Sequence, residues 1–244
     1  MRARLAPYAA VIDTFLPHLD AFALTQKLNE AFPSVLEFCM LPSIRPIVEE
    51  LITSGVDTLN VDHLNVLIPG ICLNWRRNIC TSLVGLLPPW LRHSEDGDDS
   101  SADLESALVW FYCRSKSGHL DPCYETTIAY PRILSHSHIY ALQSERFEPQ
   151  NPDDDLVNAV YYHRLLKRSV FDPELLQKEI SFDLHASFVA CEIVTLCGLD
   201  PETALSSDMD SMDNRIACVP CRTVMTWRKA VRHFPTLLPR SLRC

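Results

Sequence analysis

Apolar residues recur three or four positions apart as far as Pro89, which is the period of one helix face. Leu5, Tyr8, Ala9, Ile12, Phe15, Leu16 and Leu19 form the first such stripe. Pro17 falls inside it and predicts a kink or a split. Ile44, Ile47, Val48 and Leu51 form a second stripe within Pro42 to Ser54. A third runs from Asp62 to Leu87 through Leu64, Leu67, Ile68, Ile71, Trp75, Ile79, Leu83 and Leu86. There Pro69 reads as a first-turn residue or a break. These stripes predict helices that bury their apolar faces on one another.

The pattern then changes. Ser94 to Glu105 is acidic, small and polar, with little apolar surface to bury, and reads as a linker. The predicted organisation is a helical region over 1–93, an acidic linker over 94–106 and a Cys/His-containing α+β region over 107–244. Ala107 to Cys113 is apolar and β-prone, and Tyr130 to Tyr140 is mixed; together they predict a small strand pair. Asn151 to Asp155 reads as a second acidic turn. Asp172-Pro173 reads as a cap followed by a first-turn proline. The helix behind it carries Leu175, Leu176, Ile180, Leu184, Phe188, Cys191, Val194 and Thr195, and stops at Gly198. Thr226 caps a last short helix with a stripe of Trp227, Ala230, Val231 and Phe234. The fold class expected is mainly α: an N-terminal helical bundle plus a small α+β lobe with short strands and a zinc knuckle.

Composition narrows the function. With 244 residues, 47% hydrophobic and 22% charged, the chain is long enough to bury a core. Only 6 residues are Gly, which argues against phosphate-cradling loops, while 17 are Pro, which suits several sharply ended helices. The net charge of −9 disfavours nucleic acid and anionic membranes. One local basic run, Arg228, Lys229, Arg232, Arg240 and Arg243, runs against that charge. No apolar stretch reaches membrane-spanning length, and the N-terminus lacks a secretory pattern. An intracellular place, cytoplasmic or nuclear, is therefore expected. There the 10 cysteines serve as buried thiols or metal ligands rather than disulfides.

The sharpest local pattern is Cys218-Val-Pro-Cys221. A tight turn between two such cysteines can aim both sulfurs at one ion, and zinc suits thiolates. His233 follows on the last helix, beside its apolar stripe. Zinc takes four ligands, so a fourth must come from elsewhere. Cys191 and Cys197 precede the knuckle. Cys113, Cys123, His136 and His138 form a second cluster upstream, able to make its own site or to donate to the first. In a strand, His136 and His138 would share one face. Buried apolar thiols are the alternative for all these cysteines, and a redox dithiol is a third possibility for Cys218 and Cys221.

Three segments resemble F-box-type proteins of mushroom-forming fungi. They are Tyr130-Pro131-Arg132-Ile133-Leu134-Ser135-His136; Cys197-Gly198-Leu199-Asp200-Pro201-Glu202-Thr203 continuing to Asp208-Met209-Asp210 and Arg215; and Cys218-Val219-Pro220-Cys221 with Val224-Met225-Thr226-Trp227-Arg228 and His233. The likeness covers roughly the C-terminal two-thirds. It implies a zinc-stabilised lobe and a protein partner. In that pattern a Cys pair precedes the Tyr-Pro-Arg segment, whereas here Cys113 is followed three positions on by Lys116. The downstream pair and His233 are intact. An F-box would be an N-terminal helical segment, and none is placed.

Other chemistries fit less well. Asp208-Met-Asp210-Ser-Met-Asp213 lacks the glycine and terminal glutamate of a calcium loop and reads as an acidic first helical turn. Gly-x-Ser-x-Gly, a phosphate loop and His-Glu-x-x-His are all missing from the sequence. The expected function is a non-enzymatic protein-interaction module with a structural zinc site. The alternatives are a metal-dependent hydrolase using His136 and His138, or a nucleic-acid binder through the C-terminal basic helix.

Overall fold

A computed structural model describes residues 2–26, 31–55, 59–92, 101–114, 126–141 and 170–233. In chain order its helices are α1 (Arg2–Leu24), α2 (Val35–Met40), α3 (Arg45–Ser54), α4 (Val61–Val84), α5 (Pro173–Glu179), α6 (Leu184–Leu196), α7 (Ser206–Ser211) and α8 (Trp227–His233). Its strands are β1 (Trp110–Cys113), β2 (Thr127–Ala129), β3 (Tyr140–Ala141), β4 (Val170–Phe171), β5 (Ile180–Phe182), β6 (Arg215–Cys218) and β7 (Thr223–Thr226). The protein is mainly α with a small α+β part. Two compact units emerge: residues 1–79 with 135–176, and residues 80–134 with 177–244.

The first unit is built from the predicted stripes. Ile12, Phe15, Ile44, Val48, Leu64 and Ile68 are buried in one core. Pro17 does not split the helix: α1 runs through Pro7 and Pro17. Pro69 likewise lies inside α4 rather than at its start. A proline in a helix interior costs about 3 kcal/mol. Phe15 and Leu19 flank Pro17, and Ile68 and Cys72 flank Pro69; all four are buried, which offsets that loss.

Helix α2 carries no long stripe, so the apolar spacing does not predict it. Ser34 caps it by accepting from the Glu37 amide at 3.2 Å. Phe38 packs on Phe15, ring centres 6.0 Å apart. Glu37 is buried as well, and its Oε1 accepts from the Trp75 indole at 2.6 Å and from the Phe171 amide at 3.1 Å. One carboxylate thus ties α2, α4 and β4 together. Burial, and then the Glu37 charge, push the Tyr140 hydroxyl well above its ordinary pKa.

In the second unit β1 is the central strand of an antiparallel sheet, ordered β2-β1-β5. Phe111 stands opposite Ile128 on one side and Phe182 on the other. The expected pairing of Ala107–Cys113 with Tyr130–Tyr140 is therefore replaced. Thr127–Ala129 supplies the partner strand, and most of Tyr130–Tyr140 forms 3-10 turns. The single helix expected from Pro173 to Gly198 is also broken. Ile180–Phe182 leaves it to join β1, and Asp183 restarts the helix by accepting from the Ala186 amide at 2.9 Å. The restart shifts the phase, so Leu184 and Phe188 are exposed while Ala186, Val189 and Ala190 are buried.

Gly198 ends α6 as expected, with φ +80. Its amide donates to the Thr195 carbonyl at 2.9 Å, and the Leu199 amide to that of Val194 at 3.2 Å. Within the acidic stretch, Ala102–Glu105 forms a 3-10 turn that buries Asp103 and Leu104. Asn151–Asp155 and Phe234 lie outside the described residues. Among the described residues, no helix is long and apolar enough to cross a membrane.

Candidate metal centre

Strands β6 and β7 form a hairpin in which Arg215 faces Thr226, Ile216 faces Met225, Ala217 faces Val224 and Cys218 faces Thr223. The turn between them is Val219-Pro220-Cys221-Arg222, closed by the Arg222 amide donating to the Val219 carbonyl at 3.3 Å. Pro220 takes the second turn position, where its fixed φ fits. Arg222 completes the turn with φ 52, a left-handed conformation that costs a residue with a Cβ about 1–2 kcal/mol. The turn returns Cys221 beside Cys218. Cys218 is buried at the end of β6, while Cys221 is exposed at the tip.

Helix α8 packs on both strands and on α6. Trp227, Ala230 and Val231 are its buried residues. His233 lies one turn past Ala230, so it follows the same side of the helix. The donor atoms of Cys218, Cys221 and His233 all lie within 4.8 Å of one another. This group can hold a metal ion. The hydrogen bond to Cys218 raises the Cys221 thiol above its ordinary pKa. A cation must displace that proton to bind.

Asp210, on α7, holds the start of α8. It accepts from the Trp227 indole at 2.7 Å and from the Arg228 guanidinium at 3.0 and 2.8 Å. Partial burial pushes its carboxyl up, but the hydrogen bonds from Arg228 and Trp227 and the Arg228 charge outweigh that and leave it lowered. Arg228 lies over the Trp227 ring, 4.6 Å from its centre, and Trp227 meets Trp110 edge to face at 5.8 Å. Arg228 is therefore committed to Asp210, and the basic run loses that member as a free cation. Its Arg240 and Arg243 lie outside the described residues. By its sequence this acidic stretch reads as the first turn of a helix. Asp208 does that, accepting from the Leu205 amide at 2.9 Å. Asp210 reaches a helix that begins far along the chain, and no local pattern signals such a pair.

The remaining candidates fall elsewhere. Cys191 and Cys197 are half-buried, on α6 and at its cap, and stand outside the three-donor group. Cys113 is buried at the end of β1 in the second unit. Cys123 lies outside the described residues. His136 and His138 belong to the first unit, in and beside the 3-10 turn Ser137–Ile139 rather than in a strand. The turn still brings the rings together: His138 Nδ1 is 3.2 Å from His136 Nε2, with ring centres 5.0 Å apart.

Comparison with known proteins finds no matching family model, no curated protein that matches and no solved structure that matches.

Proposed function

We propose that this chain is a non-enzymatic protein-interaction module whose Cys218, Cys221 and His233 take a structural zinc ion. The observation that carries the metal reading is the convergence of three donors from a hairpin and a helix within 4.8 Å. Two thiolates and an imidazole are the donor types zinc prefers. Zinc about 2.3 Å from each sulfur sets the two sulfurs about 3.8 Å apart, inside the span of the group. The elements it would join are weak alone. A two-stranded hairpin and a helix of two turns are each marginal in water, so metal binding would supply folding free energy. The protein-partner reading rests on the resemblance to F-box-type proteins described above.

The test is the metal content of the purified chain, for the wild type and for Cys221→Ser. Cys221 is exposed, so this substitution by itself removes no core packing. Stoichiometric zinc in the wild type, lost in the variant together with a drop in melting temperature, is the expected result. Metal-free wild type with unchanged melting would sink the reading. A structural site takes four protein donors. X-ray absorption on the zinc-loaded chain should therefore count four sulfur and nitrogen neighbours.

A further inference from the structure

Cys218 and Cys221 differ sharply in exposure although their sulfurs are neighbours. Cys218 is 1% exposed, and Cys221 stands in the open at the hairpin tip. We infer that Cys221 is a modification site for a hydroperoxide, and that its oxidation closes a Cys218–Cys221 disulfide that ejects the metal. This deepens the zinc reading and rests on it.

The chemistry balances in two displacements. The Cys221 thiolate attacks one oxygen of the hydroperoxide; the O–O bond breaks, an S–O bond forms, and the leaving alkoxide takes a proton from water. Cys221 is now a sulfenic acid. The Cys218 thiolate, within 4.8 Å, then attacks that sulfur. The S–O bond breaks, the S–S bond forms, and hydroxide leaves to be protonated. Two electrons pass from two thiolates to the peroxide. The cation loses two anionic donors, and of the three-donor group only the neutral His233 remains.

Selectivity follows from the surroundings. Cys39, Cys72, Cys80 and Cys113 are buried, and burial raises the Cys39 thiol to about 12 and the Cys72 thiol to about 11. Thiols so shielded are out of reach of an oxidant in solution. Cys221 is the accessible member of the pair and reacts first, with Cys218 placed to resolve it.

The experiment uses the full chain, reduced and zinc-loaded, treated with one equivalent of hydrogen peroxide beside a chromogenic zinc chelator. Zinc release should track a peptide cross-linked between Cys218 and Cys221 and two hydrogens lighter. Dithiothreitol with added zinc should restore the loaded state. A chain that binds no zinc sinks the metal reading and this inference with it. A chain that binds zinc, yet keeps it through oxidation or releases it without the Cys218–Cys221 link, overturns this inference alone.

Discussion

Replacing Asp210 with alanine removes one acceptor from three donors at once. The indole of Trp227 matters most, because Trp227 is 3% exposed and its N–H loses a bond of 2.7 Å. A buried donor left unmatched costs about 1–3 kcal/mol. The Arg228–Asp210 pair is half in solvent, with side chains 27% and 50% exposed, so its loss adds about 0–1 kcal/mol. The expected total is about 2 kcal/mol for Asp210→Ala. Asp210→Asn keeps an acceptor for the indole and loses only the charge, which should cost about 1 kcal/mol or less. Urea unfolding measures both. With a slope of about 1–3 kcal/mol per molar, the alanine variant should shift the midpoint down by roughly 1 M. Trp227→Phe supplies the second leg of the cycle. It removes the N–H, so in that background Asp210→Ala should cost about 1 kcal/mol less. Equal costs for alanine and asparagine, or an unchanged alanine cost in the phenylalanine background, would refute the assignment of Asp210 as the acceptor that holds α8.

Glu37→Ala strands the N–H groups of Trp75 and Phe171 and leaves a hole, so it should destabilise the first unit by roughly 3 kcal/mol, against about 1 kcal/mol for Glu37→Gln. Amide exchange over the peptide containing Phe171 should accelerate in the alanine variant, and protection equal to the wild type would contradict the tie. Acid should act through Asp210. Its folded pKa lies below the unfolded value of about 4, so its stabilisation is present above that value and is lost as pH falls through the folded one. The stability gap between wild type and Asp210→Asn should therefore shrink from about pH 6 to about pH 3, and a gap that widens on acidification would reverse the sign of this contribution.

Features written in consecutive residues were legible. The stripes of α1, α3 and α4 repeat at the helical period, and Ile12 and Phe15, Val48 and Leu51, and Leu64 and Ile68 from them are buried in one core. Gly198 stops α6 because the left-handed end of a helix favours a residue without a Cβ. The Cys218–Cys221 spacing anticipated a turn that brings two sulfurs together, and the stripe of the last helix put His233 beside that helix's buried face.

What only the tertiary structure decided are the pairings between distant residues. Ile180–Phe182 has helical spacing, yet β1 offers it backbone partners at Phe111 to Cys113, and a strand pair outweighs local propensity. Pro17 and Pro69 stay inside their helices because burial on either side offsets a lost hydrogen bond. Glu37 and Asp210 look like ordinary acidic residues in the sequence. Each becomes a hub because folding delivers an indole N–H to it, Trp75 in one case and Trp227 in the other. The sequence by itself determined the helical class and the composition of the three-donor group. The meeting of those donors depends on α8 docking on the hairpin, with Asp210 holding its first turn, and that is a long-range fact no spacing encodes.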